Sequence, residues 1–125
     1  MGAAASARLE ALLRIPAIAQ MAAMGNRFVT WTSVPDGKGK LRKIPLQADG
    51  RSKAKSNDPS TWSPYEALAH GLAREEVQGP GVTLGQVAEH LWLVGVDLDL
   101  ALSPVTGEIG AWGQKWMTGL PPTRR

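Results

Sequence analysis

Hydrophobic residues near the start of the chain recur with a helical spacing. The segment Ser6–Ile15 carries three leucines on one helical face, which predicts an amphipathic helix. Pro16 interrupts this helix, because an interior proline removes a backbone hydrogen bond. The apolar spacing continues from Ile18 and stops at Gly25, a residue type that often ends a helix. Two short helices are therefore expected here.

The next segment changes to a strand pattern. Phe28–Val34 is rich in β-branched and aromatic residues, which predicts a strand. Pro35–Gly39 has the composition of a turn, and Lys40–Leu46 then returns as a second strand. These segments predict a hairpin with basic residues near its tip. A polar, basic loop is expected from Gln47 to Asp58.

A third helix is expected from Ser63 to about Glu75. Ser63 is placed to cap its start, and Pro64 suits the first helical turn. Glu66 stands three residues after the serine, so that the two side chains can satisfy each other's backbone N–H groups.

The later part of the chain predicts three further elements. A short strand is expected around Val82 and Leu84. The continuous apolar run Leu91–Val96 is typical of a central strand that is covered on both faces. After a turn at Ser103–Gly107, the segment Ile109–Met117 predicts a final helix.

Composition limits the class of protein. With 125 residues, of which 43% are hydrophobic, the chain is expected to form a single domain spanning residues 1–125. It contains no cysteine, which excludes disulfides and thiolate metal sites and fits a cytoplasmic location. No apolar run approaches the roughly 20 residues that span a membrane, so no membrane association is expected.

Charge is distributed unevenly. Residues 27–55 contain eight Lys and Arg against Asp36 and Asp49, whereas residues 56–110 contain eight Asp and Glu against Arg74. A basic block followed by an acidic block is expected where one part contacts phosphates and another holds cations. A merely solvated charged surface is the alternative.

Two carboxylates follow the most apolar run in the chain, in Val94-Gly-Val-Asp97-Leu-Asp99. Strand residues two apart share a face and lie roughly 6–7 Å apart, so Asp97 and Asp99 can bridge Mg²⁺ or Mn²⁺ ions. Without a cation the two charges would repel each other. Such a pair alone is a weak signal, because many strands end this way by chance.

The pair follows several other motifs in a fixed order. In sequence, they are Phe28-Val-Thr-Trp31, Gly39-Lys-Leu-Arg-Lys43-Ile-Pro45, Ser56-Asn-Asp-Pro-Ser-Thr-Trp62, Tyr65-Glu-Ala-Leu-Ala69 and Leu93-Val-Gly-Val-Asp97-Leu-Asp99, followed by Pro104-Val-Thr-Gly-Glu108 and Trp112. This succession resembles the primase–polymerase (prim-pol) domain of phage and plasmid replication proteins, within the archaeo-eukaryotic primase superfamily. The resemblance covers about residues 15–125.

The resemblance implies an α/β fold of the RRM-like primase–polymerase type, with a mixed or antiparallel sheet and flanking helices. It implies that Asp97 and Asp99 are catalytic residues that bind Mg²⁺ or Mn²⁺. Lys43 becomes the best candidate for a triphosphate contact, and Arg42 and Lys40 are weaker ones. The implied activity is nucleotidyl transfer by a DNA primase/polymerase-like replication protein of a mobile element, and the implied partners are a nucleoside triphosphate, DNA or both.

The sequence also departs from the family. Family members continue into a Ser-Pro-Ser-Gly-x-Gly-x-His segment and a later acidic residue, whereas this sequence stops at Arg125. His70 and His90 are expected to be surface or packing residues rather than substitutes for that histidine. The domain is therefore expected to be truncated at its C-terminal end, with little polymerase activity alone, and to need a second chain to complete it.

Several alternatives stay open. The chain is also compatible with a non-catalytic binding or inhibitor protein that acts on a host protein or pairs with itself, or with a gene remnant that has no role. The tryptophans at positions 31, 62, 92 and 112 are expected in the core, with base stacking as the alternative. The segment Lys38–Lys55 is expected to contact nucleic acid or nucleotide, with a solvated loop as the alternative.

Overall fold

The computed structural model describes residues 2–95 and 102–119. Its helices are α1 (Gly2–Leu12), α2 (Pro16–Ala22), α3 (Leu68–Leu72) and α4 (Ala111–Gly119). Its strands are β1 (Phe28–Pro35), β2 (Leu41–Leu46), β3 (Gly79–Val82), β4 (Gly85–Ala88) and β5 (Leu91–Leu93). The described residues thus form a mixed α/β structure with antiparallel sheets and flanking helices. No helix in this part of the chain is long and apolar enough to cross a membrane.

The described strands form two antiparallel sheets. The larger sheet has the order β2-β1-β3, and the smaller one is the β4–β5 hairpin. In the larger sheet Trp31 is paired with Pro45 on one side and with Gly79 on the other, and Ser33 is paired with Lys43. The predicted hairpin of β1 and β2 is confirmed, because both strands lie within a residue of the expected bounds.

The hydrophobic core lies on one face of the larger sheet. The rings of Phe28 and Tyr65 meet edge to face, with their centroids 5.2 Å apart. The Tyr65 hydroxyl donates a hydrogen bond of 2.7 Å to the carbonyl of Leu9, which ties α1 to this core. Burial raises the pKa of Tyr65. Leu68 in α3 is fully buried beside these side chains.

Helix α3 lies very close to the larger sheet. A Cβ atom at Gly71 would lie 2.5 Å from the carbonyl oxygen of Ala48 and 2.9 Å from Cγ2 of Thr30. Thr30 is itself fully buried, and its hydroxyl donates a hydrogen bond of 2.8 Å to the carbonyl of Gln47. Only glycine allows this approach without moving the backbone around it.

The expected capping box is not observed. Ser63 instead forms an isolated β-bridge with Phe28, in which each residue donates its N–H to the other's carbonyl at 2.9 Å. The helical segment begins with a 3₁₀ turn, Tyr65–Ala67, which has no side-chain cap, and α3 ends at Leu72 instead of near Glu75. The extended bridge holds Ser63 at the sheet, so Ser63 does not serve as the helix cap.

The prediction of a central strand at Leu91–Val96 is wrong for the residues that the structure describes. Strand β5 covers three residues and pairs there with β4. Leu91, Trp92 and Val94 are 50%, 62% and 73% exposed. The third strand of the larger sheet is Gly79–Val82, slightly earlier than expected. A short apolar run predicts a strand but does not determine how many neighbours cover it.

The four tryptophans that were expected in the core divide into two groups. Trp31 and Trp62 are partly buried in the first part of the chain. Trp92 and Trp112 are 62% and 48% exposed, so the core prediction is wrong for these two residues. The final helix is confirmed as α4, but the tryptophans on its aromatic side, Trp112 and Trp116, are 48% and 56% exposed.

Candidate nucleotide-contacting surface

Asp97 and Asp99, the predicted metal ligands, lie outside the described residues. The structure does describe the chain that leads to them. Strand β5 ends at Leu93, and a Cβ atom at Gly95 would lie 3.2 Å from Cδ1 of Leu84. Gly95, the last described residue before the carboxylates, precedes Asp97 by two positions and Asp99 by four.

The donor chemistry of these two residues suits a hard divalent cation. Carboxylate oxygens are preferred ligands of Mg²⁺ and Mn²⁺. Within residues 2–95 and 102–119, no group of three His, Cys, Asp or Glu side chains could hold a metal ion.

The structure does not bring the three predicted basic residues onto one face. Arg42 and Lys43 are consecutive residues of β2, so their side chains leave opposite faces of the sheet. Lys40 precedes the strand, where its backbone N–H donates to a carboxylate oxygen of Asp36 at 3.2 Å. All three residues are exposed. One bound phosphate group on a single face of the sheet would meet Lys43 or Arg42, but not both.

Lys43 has an aromatic neighbour. Its Nζ atom lies over the ring of Trp31, 4.7 Å from the ring centroid. A cation in this position is attracted by the negative face of the indole. Lys43 forms no ion pair with any described residue. Its charge therefore stays available to an anionic ligand.

The acidic residues near these basic ones accept hydrogen bonds that stabilise turns. Hydrogen bonds from the Arg51 N–H and from Ser52 lower the pKa of Asp49. Hydrogen bonds from the Ser60 hydroxyl and N–H lower the pKa of Asp58, which caps the 3₁₀ turn Pro59–Thr61. These carboxylates bond to nearby backbone and hydroxyl groups, which leaves the surrounding lysines without carboxylate partners among the described residues.

A buried arginine joins the larger sheet to the β4–β5 hairpin. Arg27 is only 7% exposed. Its Nε donates to the carbonyl of Thr83 and its Nη1 to the carbonyl of Gln86, both at 3.1 Å. Its guanidinium lies 5.1 Å from the ring centroid of Trp62. Arg27 thus positions the hairpin that leads to Asp97.

Sequence reasoning missed the role of Arg27 and also that of Arg8, whose side chain reaches strand β3 from helix α1. Arg27 immediately precedes an aromatic strand, but no local pattern indicates carbonyl partners more than fifty residues away. His70 and His90 are both exposed, as expected for surface histidines.

Comparison with known proteins gives no family assignment. No protein-family model matches the chain, and no curated protein matches it significantly. The resemblance to prim-pol domains therefore depends on the order of the sequence motifs alone.

Proposed function

We propose that the chain is a primase–polymerase-like replication protein of a mobile element that binds a divalent metal together with a nucleotide or nucleic acid. The proposal includes the RRM-like primase fold, with which the antiparallel β2-β1-β3 sheet and its flanking helices are compatible. It also includes a cytoplasmic location.

The observation that carries the proposal is the pairing of two chemistries. Asp97 and Asp99 supply oxygen ligands directly after an apolar segment. Lys43 supplies an exposed ammonium on a strand that is held in register by the antiparallel pairing with β1. Metal-bound nucleotides need both oxygen ligands for the cation and positive charge near the phosphates.

Each residue has a separate task in this proposal. Asp97 and Asp99 would hold Mg²⁺ or Mn²⁺, which when bound neutralises phosphate charge. Lys43 would contact the triphosphate, because its charge is unpaired among the described residues and its strand is rigid. The side chain of Arg42 lies on the opposite face of the sheet and Lys40 lies before strand β2, so these two residues would contact a more distant part of the ligand. Nucleotidyl transfer by this chain alone is not part of the proposal.

Calorimetric titration of the purified chain with Mn²⁺ and a deoxynucleoside triphosphate tests this function. The double variant Asp97→Ala/Asp99→Ala should lose metal-dependent nucleotide binding. Lys43→Gln should weaken it about tenfold, since a hydrogen bond to a charged group contributes roughly 1.5–3 kcal/mol. Lys115→Gln, an exposed cation on helix α4, is the matched control and should leave binding unchanged. A folded wild-type chain that binds no nucleotide with Mn²⁺ would rule the function out.

A second function is favoured by a different observation. Helix α4 exposes Trp112, Trp116 and Met117, and an apolar groove of about 460 Å³ lies beside the two tryptophans. Exposed apolar patches of this kind often mark protein contacts. The alternative is therefore a non-catalytic binding or inhibitor protein that docks on a host protein through α4. Trp116→Ser would then abolish binding to the host protein, whereas Asp97→Ala/Asp99→Ala would leave this binding intact.

A further inference from the structure

The indole of Trp31 lies on the face of the larger sheet opposite the core. Side chains alternate between the two faces of a strand. Thr30 and Thr32, the neighbours of Trp31 in β1, therefore face the core, and Trp31 faces the other way. Across the sheet from Trp31 is Gly79 in strand β3. A Cβ atom at Gly79 would come within 2.9 Å of Nε1 of Trp31, so the glycine leaves room for the ring. The ring can therefore lie along the sheet rather than stand away from it.

Two cations lie near this ring. Nζ of Lys43 lies 4.7 Å from its centroid. Nη2 of Arg8 lies 3.5 Å from the Cβ position at Gly79, close to the Nε1 edge of the indole. Neither cation forms an ion pair with a described residue, and both residues are exposed. An aromatic ring with two unpaired cations nearby offers a stacking surface and two candidate phosphate contacts.

We propose that Trp31 is a stacking platform for a base of single-stranded nucleic acid, and that Lys43 and Arg8 contact the adjoining phosphates. Proteins that bind single strands combine aromatic side chains with positive charge along the backbone. The flexible side chain of Lys43 leaves the ring when a base occupies it and pairs with a phosphate instead. This inference rests on the proposed function, and it names the nucleic-acid ligand and the residues that hold it.

The shape of the surface favours a strand over a free nucleotide. Pro45 is the cross-strand partner of Trp31, and Val29 shares the face of Trp31. Both residues line a groove of about 490 Å³ that also reaches Ser56 and Leu84. The groove therefore begins beside the cross-strand neighbour of Trp31, which offers room for a second base. A mononucleotide would leave this groove empty.

Fluorescence anisotropy with a labelled oligonucleotide of about 12 thymidines, a length that one small domain can cover, tests the proposal. The measurement is made on the full chain in EDTA, without divalent metal. Trp31→Leu should weaken binding about tenfold, within the range of one lost base–aromatic stack. Lys43→Gln and Arg8→Gln should each reduce the slope of log affinity against log salt by about 0.7.

Matched variants keep the result interpretable. Trp92→Leu removes an exposed tryptophan elsewhere, and Lys115→Gln removes an exposed cation on α4. Both should bind the oligonucleotide like the wild type. Thermal unfolding shows whether Trp31→Leu still folds, and if it does not, the two exposed cation variants decide the question. Gly79→Ala should also weaken binding, because the added methyl group displaces the ring.

The outcomes separate this inference from the proposed function. Absence of oligonucleotide binding by the wild type overturns the inference, as does unchanged affinity and salt slope in the Trp31, Lys43 and Arg8 variants. Competition by free thymidine triphosphate at the same concentration of nucleotide overturns the preference for a strand. Trp31-dependent binding in EDTA supports the inference even where titration with Mn²⁺ and a nucleotide shows no metal-dependent site.

Discussion

Leu68 in helix α3 is fully buried, whereas Leu91 in strand β5 leaves half of its surface exposed. The same contrast holds for the regions around them. The buried hydrophobic side chains of the described residues all lie in the first region, residues 2–83. Among the exposed large ones, only Leu13, Ile15 and Leu41 lie in that region, and the others belong to the second region, residues 84–119.

Both regions contain segments with the hydrophobic spacing of helices and strands. This spacing therefore does not explain why the side chains of one region are buried and those of the other are exposed. The first region has helices packed onto a sheet, with side chains such as Phe28 and Tyr65 in direct contact. In the second region, α4 forms as expected, but the β4–β5 hairpin replaces the predicted central strand, and the large apolar side chains of both elements are exposed. Arg27 is a polar connection between the regions rather than a hydrophobic one. Stability should therefore reside in the first region.

The largest expected effect is that of truncating the core. Leu68→Ala should lower the free energy of unfolding by about 2–5 kcal/mol, because it leaves a cavity at a fully buried position. Leu91→Ala is the matched substitution in the second region and should cost under about 1 kcal/mol. Urea unfolding of both variants measures the difference. Equal losses would show that the second region is packed in solution as tightly as the first.

The second effect concerns the connection between the regions. Arg27→Met removes two hydrogen bonds from a charged donor and should destabilise the chain by about 2–4 kcal/mol. Amide hydrogen exchange in β4 and β5 should accelerate more than exchange in β1 and β2. Arg51→Met, on an exposed loop, is the control and should change neither. Unaltered exchange in the hairpin would mean that Arg27 does not position it.

The smallest effect is a pH dependence confined to the first region. Tyr65→Phe removes the hydrogen bond to Leu9 and should cost about 1 kcal/mol at neutral pH. Burial raises the pKa of Tyr65 above its ordinary value of 10.0. The protonated phenol therefore contributes its full stability below pH 10, and this contribution is lost as the pH rises through the folded-state pKa.

The difference between wild type and Tyr65→Phe is the relevant measurement, because lysines also titrate at high pH. Urea midpoints at pH 8 and at successive values above pH 10 should converge for the two proteins, since the wild type loses its advantage there. A constant difference across this range would show that the phenol keeps the same pKa on unfolding.

The sequence was sufficient to predict many of the elements. Helices α1, α2 and α4 and the β1–β2 hairpin all follow from hydrophobic spacing and turn residues. Burial was not predictable in the same way. Trp92 and Leu91 have the composition of a core strand, but whether a strand is covered depends on which other segments pack on it. Ser63 shows the converse, since a tertiary bridge to Phe28 overrides a local capping pattern.

The candidate surface was predictable only in part. Lys43 was identified through the motif resemblance, and its exposed position on β2 is compatible with that role. Its place over Trp31 depends on strand register, which the sequence leaves undetermined. The side chains of Arg8 and Arg27 contact residues more than fifty positions away along the chain, so no local spacing in the sequence indicates these contacts. These contacts arise from tertiary packing, which the local pattern of residues does not predict.

Pro45 has a consequence for how the molecule behaves in crowded solution. Its carbonyl accepts the N–H of Ala54 at 3.1 Å on the outer side of β2, away from β1. A residue's N–H and carbonyl point to the same side of a strand, so the donor that proline lacks would have faced this outer edge. An edge without that donor is a poor template for adding another strand. The proline of the K-x-P motif therefore removes a donor from this edge, and we expect it to disfavour ordered self-aggregation of the sheet.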